Sequence, residues 1–231
     1  HLIDVSKTAF ELDRAAKFLE NIAAEGKQIL WVGTKNSAQD IIQEFAIKLK
    51  DSYVRNRWIG GTLTNFSQVK KAVTKLLHFE DVLSKTDQYS YTKKEFSEFQ
   101  KIVDRLESNV GGIRQLSWPV GAIVVVDSRK EAVAIKEANS AGVPVVALVD
   151  TNNDPSGIDY VIPGNDDVDR AIRVVIGELA DAVERGKAKN AQKHKEVEEK
   201  SRLAAALAAK EVQEKKQSVQ KKKAAPVAEV V

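Results

Sequence analysis

The run Gly121-Ala-Ile-Val-Val-Val126, closed by Asp127, constrains this chain more than any other segment. β-Branched residues favour a pleated strand. A strand apolar on both faces has to be covered on both, which is the condition of a parallel sheet between helices. Gln28–Val32, stopped by Gly33, reads as a second buried strand. So do Pro144–Val149 and Asp159–Ile162, while Tyr53-Val54 is a brief one. Helical periodicity fills the intervals. Leu12, Ala15, Ala16, Leu19, Ile22 and Ala23 share a face in a helix from Ser6 or Lys7 to Ala24, ended by Gly26. Ala38 to Leu49 gives another, with Asn36 or Ser37 as its cap. Glu131–Ala141 is closed by Gly142, and Val168, Ile172, Val175, Ile176, Leu179 and Val183 form the last body helix. This alternation predicts an α/β protein. Five strands suggest a doubly wound (flavodoxin-like) parallel sheet of order 2-1-3-4-5, whose ligands gather at the C-terminal strand edge. Gly33, Arg55, Asp127, Asp150 and Pro163 all fall at that edge.

Between Asn65 and Asn109 the alternation stops. Phe66, Val69, Val73 and Leu76 step at helical spacing, as do Phe96, Phe99, Val103 and Leu106, and Ser84–Thr92 between them is polar. Two helices of about 17 residues predict a protruding antiparallel coiled-coil hairpin. Its arms would reach roughly 25 Å, pack mainly on their own seam and hinge at Gly111-Gly112. Leu77, Phe79 and Val82 lie outside that narrow seam, either against the body or as contact residues. The expected division is thus a body of residues 1–64 and 110–184, a hairpin of 65–109, and a basic, partly helical or disordered tail of 185–231.

Charge is partitioned along the chain. The net charge is +3, yet Glu184–Val231 holds 13 Lys/Arg against 7 Asp/Glu, which leaves the remainder acidic. Lys48–Lys75 has seven basic residues and one acid, Asp51, whereas Asp150–Asp169 has six acids and no base. One electropositive and one electronegative region predict a polyanion on one side only, with Asp154, Asp166 and Asp167 turned away from it. No apolar run approaches the roughly 20 residues of a membrane span, so no membrane partner is expected. Cysteine is absent, which removes disulfides, thiol nucleophiles and thiolate-bound metals and fits a cytosolic-type compartment. Methionine is absent as well, and a start at His1 without a signal peptide predicts a trimmed natural N-terminus.

Two segments suit anions. Gly33-Thr34-Lys35 lies between a strand and a helix, where free N–H groups and the helix dipole would hold a phosphate; a tight turn with a solvated Lys35 is the preferred reading. Neither nucleotide-loop pattern, G-x-x-x-x-G-K-[ST] or G-x-G-x-x-G, is present. The stretch Arg55-Asn-Arg-Trp-Ile-Gly-Gly-Thr-Leu-Thr-Asn65 is the more unusual. Arginine forks bind phosphates, Trp58 would stack on a base or sit in the core, and Gly60-Gly61 would let backbone approach a ligand. Candidate RNA-contacting residues are therefore Lys35, Arg55, Asn56, Arg57, Trp58, Gly60, Gly61, Thr62 and Asn65, with Lys70, Lys71 and Lys75 at the hairpin base. The acid clusters Asp150–Pro155 and Asn165–Asp169 would serve a hard cation or, as caps and turns, only the fold: Asn165 or Asp166 as N-cap, Asp154-Pro155 as turn. His1, His78 and His194 support no metal or catalytic site. Asp127 stands where a receiver domain carries its phosphoacceptor, but such a domain needs acids after its first strand and a Lys after its fifth, where this chain has Gly33 and Pro163. The expectation is no catalytic residue, no cofactor and no metal. An RNA-binding structural protein thus competes with a phosphate- or nucleotide-dependent α/β enzyme and with a receiver-like signalling module.

Arg57-Trp-Ile-Gly-Gly-Thr-Leu-Thr-Asn65 resembles the signature of the bacterial-type small-subunit ribosomal protein S-two family. Similar to that family in the same order are His1-Leu-Ile-Asp-Val5, Val32-Gly-Thr-Lys35, Ile135-Lys-Glu-Ala-Asn139, Val149-Asp-Thr-Asn-Asn-Asp-Pro155 and Val161-Ile-Pro-Gly-Asn-Asp-Asp167. The family's upstream His-Phe-Gly-His and Trp-Asn-Pro elements do not occur here, so the sequence is expected to be a portion. Pro119 stands one residue further from Asp127 than the family pattern has it, which places an expected departure in that loop. The resemblance implies an α/β body with a coiled-coil hairpin and a structural, non-enzymatic role in the small ribosomal subunit. It implies binding of small-subunit rRNA near the head–body junction and contact with neighbouring small-subunit proteins. Among those it implies docking of the large protein that captures messenger RNA, in a cytoplasmic or organellar ribosome.

Overall fold

The structure, a computed structural model, describes residues 2–85, 89 and 91–195. The chain divides into two compact units, His1–Lys187 and Ala188–Val231. Of the second unit, residues 188–195 are helical. The reading of residues 196–231 as a tail lies outside the described residues, as do His1 and residues 86–88 and 90 of the polar joint.

In the first unit α1 (Val5–Ala24), β1 (Gln28–Val32), α2 (Asn36–Leu49) and β2 (Ser52–Val54) are followed by α3 (Phe66–Ser84) and α4 (Lys93–Val110). The chain then forms β3 (Val120–Val126), α5 (Ala132–Ala141), β4 (Val145–Val149) and β5 (Tyr160–Pro163). A last helix, α6, covers 169–187 within this unit. The five strands are all parallel, in the order β2-β1-β3-β4-β5, with the short β2 and β5 at the edges. The expected topology is the one found. β5 begins at Tyr160 rather than Asp159.

All seven residues of β3 are buried. Alternate side chains divide between two cores, as the two-residue period of a strand requires. Ile29, Trp31, Ala122, Val124, Val126, Val146 and Leu148 pack with α1, α2 and α6. Leu30, Val32, Ile123, Val125, Val145 and Ala147 pack with α3, α4 and α5. Local signals place the helix ends. Asp4 accepts from the Ser6 N–H at 3.0 Å and opens α1. Thr92 and Glu95 form a reciprocal capping box on α4. Lys35, not Asn36 or Ser37, is the N-cap residue of α2, without a side-chain cap bond; Asn36 and Ser37 fall in the first turn. Between α2 and α6, the buried Asp51 carboxylate takes Lys187 Nζ at 2.6 Å and the Trp31 indole N–H at 3.3 Å. Lys187 also donates to the Leu49 carbonyl at 2.7 Å. Burial pushes the Asp51 carboxyl up, and Lys187 pulls it back.

The two helices expected between Asn65 and Asn109 are present and lie against one another, with Phe79 and Phe99 rings 5.2 Å apart. They pack chiefly on each other, and their buried stripe also reaches the body. Val69, Val73, Leu76, Val103 and Val110 belong to the same buried cluster as Leu30, Val32, Ile123 and Val125. The apolar stripe of the pair is therefore continuous with the core on that face of the sheet. Arg114 reinforces this, its guanidinium bonded to Glu80 of α3 at 2.6 and 3.0 Å and to Glu107 of α4. Of the three apolar residues outside the seam, Val82 is buried, Phe79 half-buried and Leu77 exposed. Nor is the glycine pair a hinge. Gly111 has helical φ and ψ, Gly111–Ile113 forms one 3-10 turn, and a Cβ on Gly112 would lie 2.2 Å from the Tyr53 carbonyl oxygen. Gly112 is required by the close approach of this turn to β2.

Two stability measurements check this packing. Gly112→Ala forces backbone apart at the join of α4 and β2 and should cost about 1–3 kcal/mol, lowering Tm by about 2–4 °C per kcal/mol. An unchanged Tm would show the turn free to move. Lys187→Ala leaves the Asp51 carboxylate short of its charged partner and should cost about 1.5–3 kcal/mol at neutral pH. A loss below half a kcal/mol, the ordinary range of surface changes, would show that water replaces the ammonium.

Candidate nucleic-acid interface

The chain leaves β2 at Val54 and enters the Arg55–Asn65 segment. Arg55 Nη1 is bonded to Gln43, and its guanidinium lies 3.9 Å from Asp40. The Asn56 amide donates to the Ser108 carbonyl at 2.8 Å and to its hydroxyl at 2.9 Å, which ties the segment to the end of α4. A cavity of about 400 Å³ lies beside them, lined by Gln43, Tyr53, Arg55, Asn56 and Glu107 among others. Arg57 is exposed. Trp58 turns inward, 8% exposed, and is too enclosed to stack on a base; of its two expected roles the structure selects the core. Thr62 is buried, its hydroxyl donating to the Ile59 carbonyl at 2.7 Å. Gly60 and Asn65 are exposed. Gly61 has φ +92°, a left-handed conformation that favours glycine.

One carboxylate organises this turn. Glu137 of α5 accepts from the Trp58 indole N–H at 3.0 Å, the Gly61 N–H at 2.8 Å and the Leu63 N–H at 3.1 Å. The Thr64 N–H and hydroxyl follow at 3.5 and 3.4 Å. The Gly61, Leu63 and Thr64 N–H groups, which would otherwise face an anion, are occupied from within. Burial raises the Glu137 carboxyl, but the bonds from Gly61, Trp58, Leu63 and Thr64 outweigh it and hold the group below the usual carboxylate range.

The Gly33–Lys35 turn is filled in the same way. Glu131, 2% exposed, accepts from the Thr34 N–H at 3.0 Å and from the Thr34 hydroxyl. Burial pushes the Glu131 carboxyl up, against the Thr34 bonds. Lys35 reaches Asp166 at 2.7 Å, Asp167, and Asp127 at 3.8 Å. Burial disfavours its charge, yet the Asp166 and Asp167 bonds win and its pKa is pushed up to about 12. Lys35 is thus joined to the acidic strand ends rather than to the basic surface. Asp166 is 2% exposed, turned into the protein, while Asp154 and Asp167 are exposed. Its carboxyl is raised chiefly by burial. Carboxylate oxygens of Asp150, Asp166 and Asp167 come within 4.8 Å of one another and are the residues that could hold a hard cation. The turn and cap reading holds nearby: Asn165 accepts from the Asp167 and Val168 N–H groups at 2.8 and 3.2 Å, and Asp154 from the Ser156 N–H at 2.9 Å.

Lys70, Lys71 and Lys75 are exposed on α3, with Lys75 Nζ 5.8 Å from the centre of the Phe79 ring. Arg57, Lys70 and Lys71 make no ion pair with any described residue. Some cations elsewhere are neutralised locally, Lys48 by Glu184, Arg114 by Glu80 and Glu107, Arg173 by Glu44; others, among them Lys101, Arg105, Arg129, Lys136 and Arg170, are exposed without an ion pair to a described residue. Glu131 and Glu137 were missed as site residues. A signal for both existed, because each stands three residues before or after Ala134, on the helix side that Ala134, Ile135 and Ala138 bury.

The family model for Ribosomal protein S2 matches residues 1–186. No helix among the described residues is long and apolar enough to cross a membrane. The Glu137 cluster makes a pH prediction. A carboxyl held low in the folded state stabilises above its unfolded value, about 4.3, and loses that contribution as pH falls through the folded value. Glu137→Gln should therefore show a Tm deficit that is constant above about pH 5 and narrows in acid. A deficit independent of pH would mean that the charge does not hold the turn.

Proposed function

The chain belongs to the ribosomal protein S2 family, which makes it a ribosomal protein working in translation within a ribonucleoprotein, and on that footing we propose that it binds small-subunit rRNA through Arg57, Lys70, Lys71 and Lys75. Arg55, Asn56 and Asn65 flank this surface. The observation that carries the reading is clustering: residues 48–75 hold seven basic residues against one acid, and Arg57, Lys70, Lys71 and Lys75 of that segment are exposed. A protein that meets a phosphate backbone keeps lysines and arginines without internal counter-charges, because the phosphates supply them. The roles differ among the residues expected to touch RNA. Trp58, Gly61 and Thr62 shape the turn, and Lys35 serves the acidic cluster. The cytoplasmic small subunit as setting, and docking of the messenger-capturing protein as a second task, rest on the family resemblance.

The acidic strand ends belong to a different face in this reading. Carboxylates would be repelled by phosphates at contact distance and indifferent beyond a Debye length of roughly 8–10 Å. Replacing Lys70, Lys71 and Lys75 together by Ala should reduce the slope of log affinity for small-subunit rRNA against log salt by about two to three. The Tm should stay within about 1 °C per replacement, since the side chains are exposed. An unchanged slope in a folded triple variant would refute the assignment.

A further inference from the structure

We infer that Glu137 is the positioning residue of the RNA-binding turn: an internal carboxylate that stands in for a phosphate, closes the backbone of Gly61–Thr64 and so fixes Arg57 for contact. The inference rests on the reading that Arg57 meets rRNA. Its geometry is independent of that reading. Three N–H donors and an indole N–H converge on one carboxylate, from Trp58 on one side of the glycine pair and from Gly61, Leu63 and Thr64 on the other. The segment between is clamped at both ends, and Arg57 and Asn65 are the exposed residues where it leaves the clamp.

The platform is rigid. Glu137 is carried on α5, whose Ala134, Ile135 and Ala138 are buried in the core that faces β1, β3 and β4. The ends of the turn are fixed as well, since Trp58 and Leu63 are buried in the same core. A flexible Gly-Gly turn would have to be ordered when RNA binds, at an entropic cost for each residue fixed. The Glu137 clamp meets that cost during folding. It also decides how RNA is read. With the Gly61, Leu63 and Thr64 amides occupied, that stretch of the turn leaves recognition to side chains on its outer side.

A double-mutant cycle on small-subunit rRNA binding tests this. Glu137→Gln is nearly isosteric, yet it removes the charge and turns an amide NH2 toward N–H groups. It should weaken binding about tenfold, as loss of charge-assisted hydrogen bonds does, and Arg57→Ala should weaken it similarly. In the double variant the loss should be little more than either alone, because both act through one contact. Additive losses, or full affinity in Glu137→Gln, would overturn the inference, as would a silent Arg57→Ala beside a weakened Glu137→Gln. Thermal unfolding of each variant accompanies the binding data, and if Glu137→Gln fails to fold, Glu137→Asp carries the same cycle. The salt slope of the Lys70, Lys71 and Lys75 variant separates the two ideas. A reduced slope with an additive cycle rejects only the role of Glu137, while an unchanged slope rejects the RNA surface itself.

Discussion

The interior of this protein is set by β3, which has no face that tolerates water. Burying seven consecutive residues requires neighbours on both sides in the sheet and helices above and below it. The parallel order follows, because each return to the same edge of the sheet needs a crossover. The two cores then separate by strand parity, α1, α2 and α6 on one face and α3, α4 and α5 on the other. Every turn at the C-terminal strand edge is thereby placed beside the helix that leaves the neighbouring strand. From the start of α5, which follows β3, Glu131 reaches the turn after the adjacent β1, and Glu137, farther along the helix, reaches the segment after β2 at the sheet edge.

Those two carboxylates change the meaning of the glycine-containing turns. Read alone, Gly33-Thr34-Lys35 and Gly60-Gly61-Thr62 are anion receptors, with donors at a helix start and in a left-handed turn. Glu131 and Glu137 supply the anions. They do so on different terms: burial dominates at Glu131 and raises its carboxyl, whereas converging donors dominate at Glu137 and lower it. Solvent-facing cations are left as the means of meeting a polyanion. The acidic strand ends, where Lys35 is held by Asp166 and Asp167, form a separate electrostatic region.

Much of this architecture was legible in the sequence. Strand order, both helical layers and the two helices after Asn65 follow from apolar periodicity, which reports burial directly. Asp51 and Lys187 were not legible as a pair, because partners 136 residues apart leave no local signal. Gly111-Gly112 misled for a related reason. Glycine marks either freedom or crowding, and only the Tyr53 carbonyl shows that here it is crowding. At the hairpin, helical spacing identifies an apolar stripe without saying all that covers it. Val69, Val73 and Val103 join the sheet core rather than closing on each other alone. At the interface, composition located the basic segment, but charge counts treat Lys35 and Lys70 alike. Their surroundings separate them.

The brevity of the outer strands has a consequence for the free chain. β2 offers three residues and β5 four, the last of them a proline without an N–H. The Thr8 hydroxyl covers the Pro163 carbonyl at 2.6 Å. An edge so short gives a second chain little to pair with, and proline blocks extension at one end. A ribosomal protein is made apart from the particle it joins, and in that interval a long bare edge would invite self-association. Here the short edges and the terminal proline leave little for strand addition.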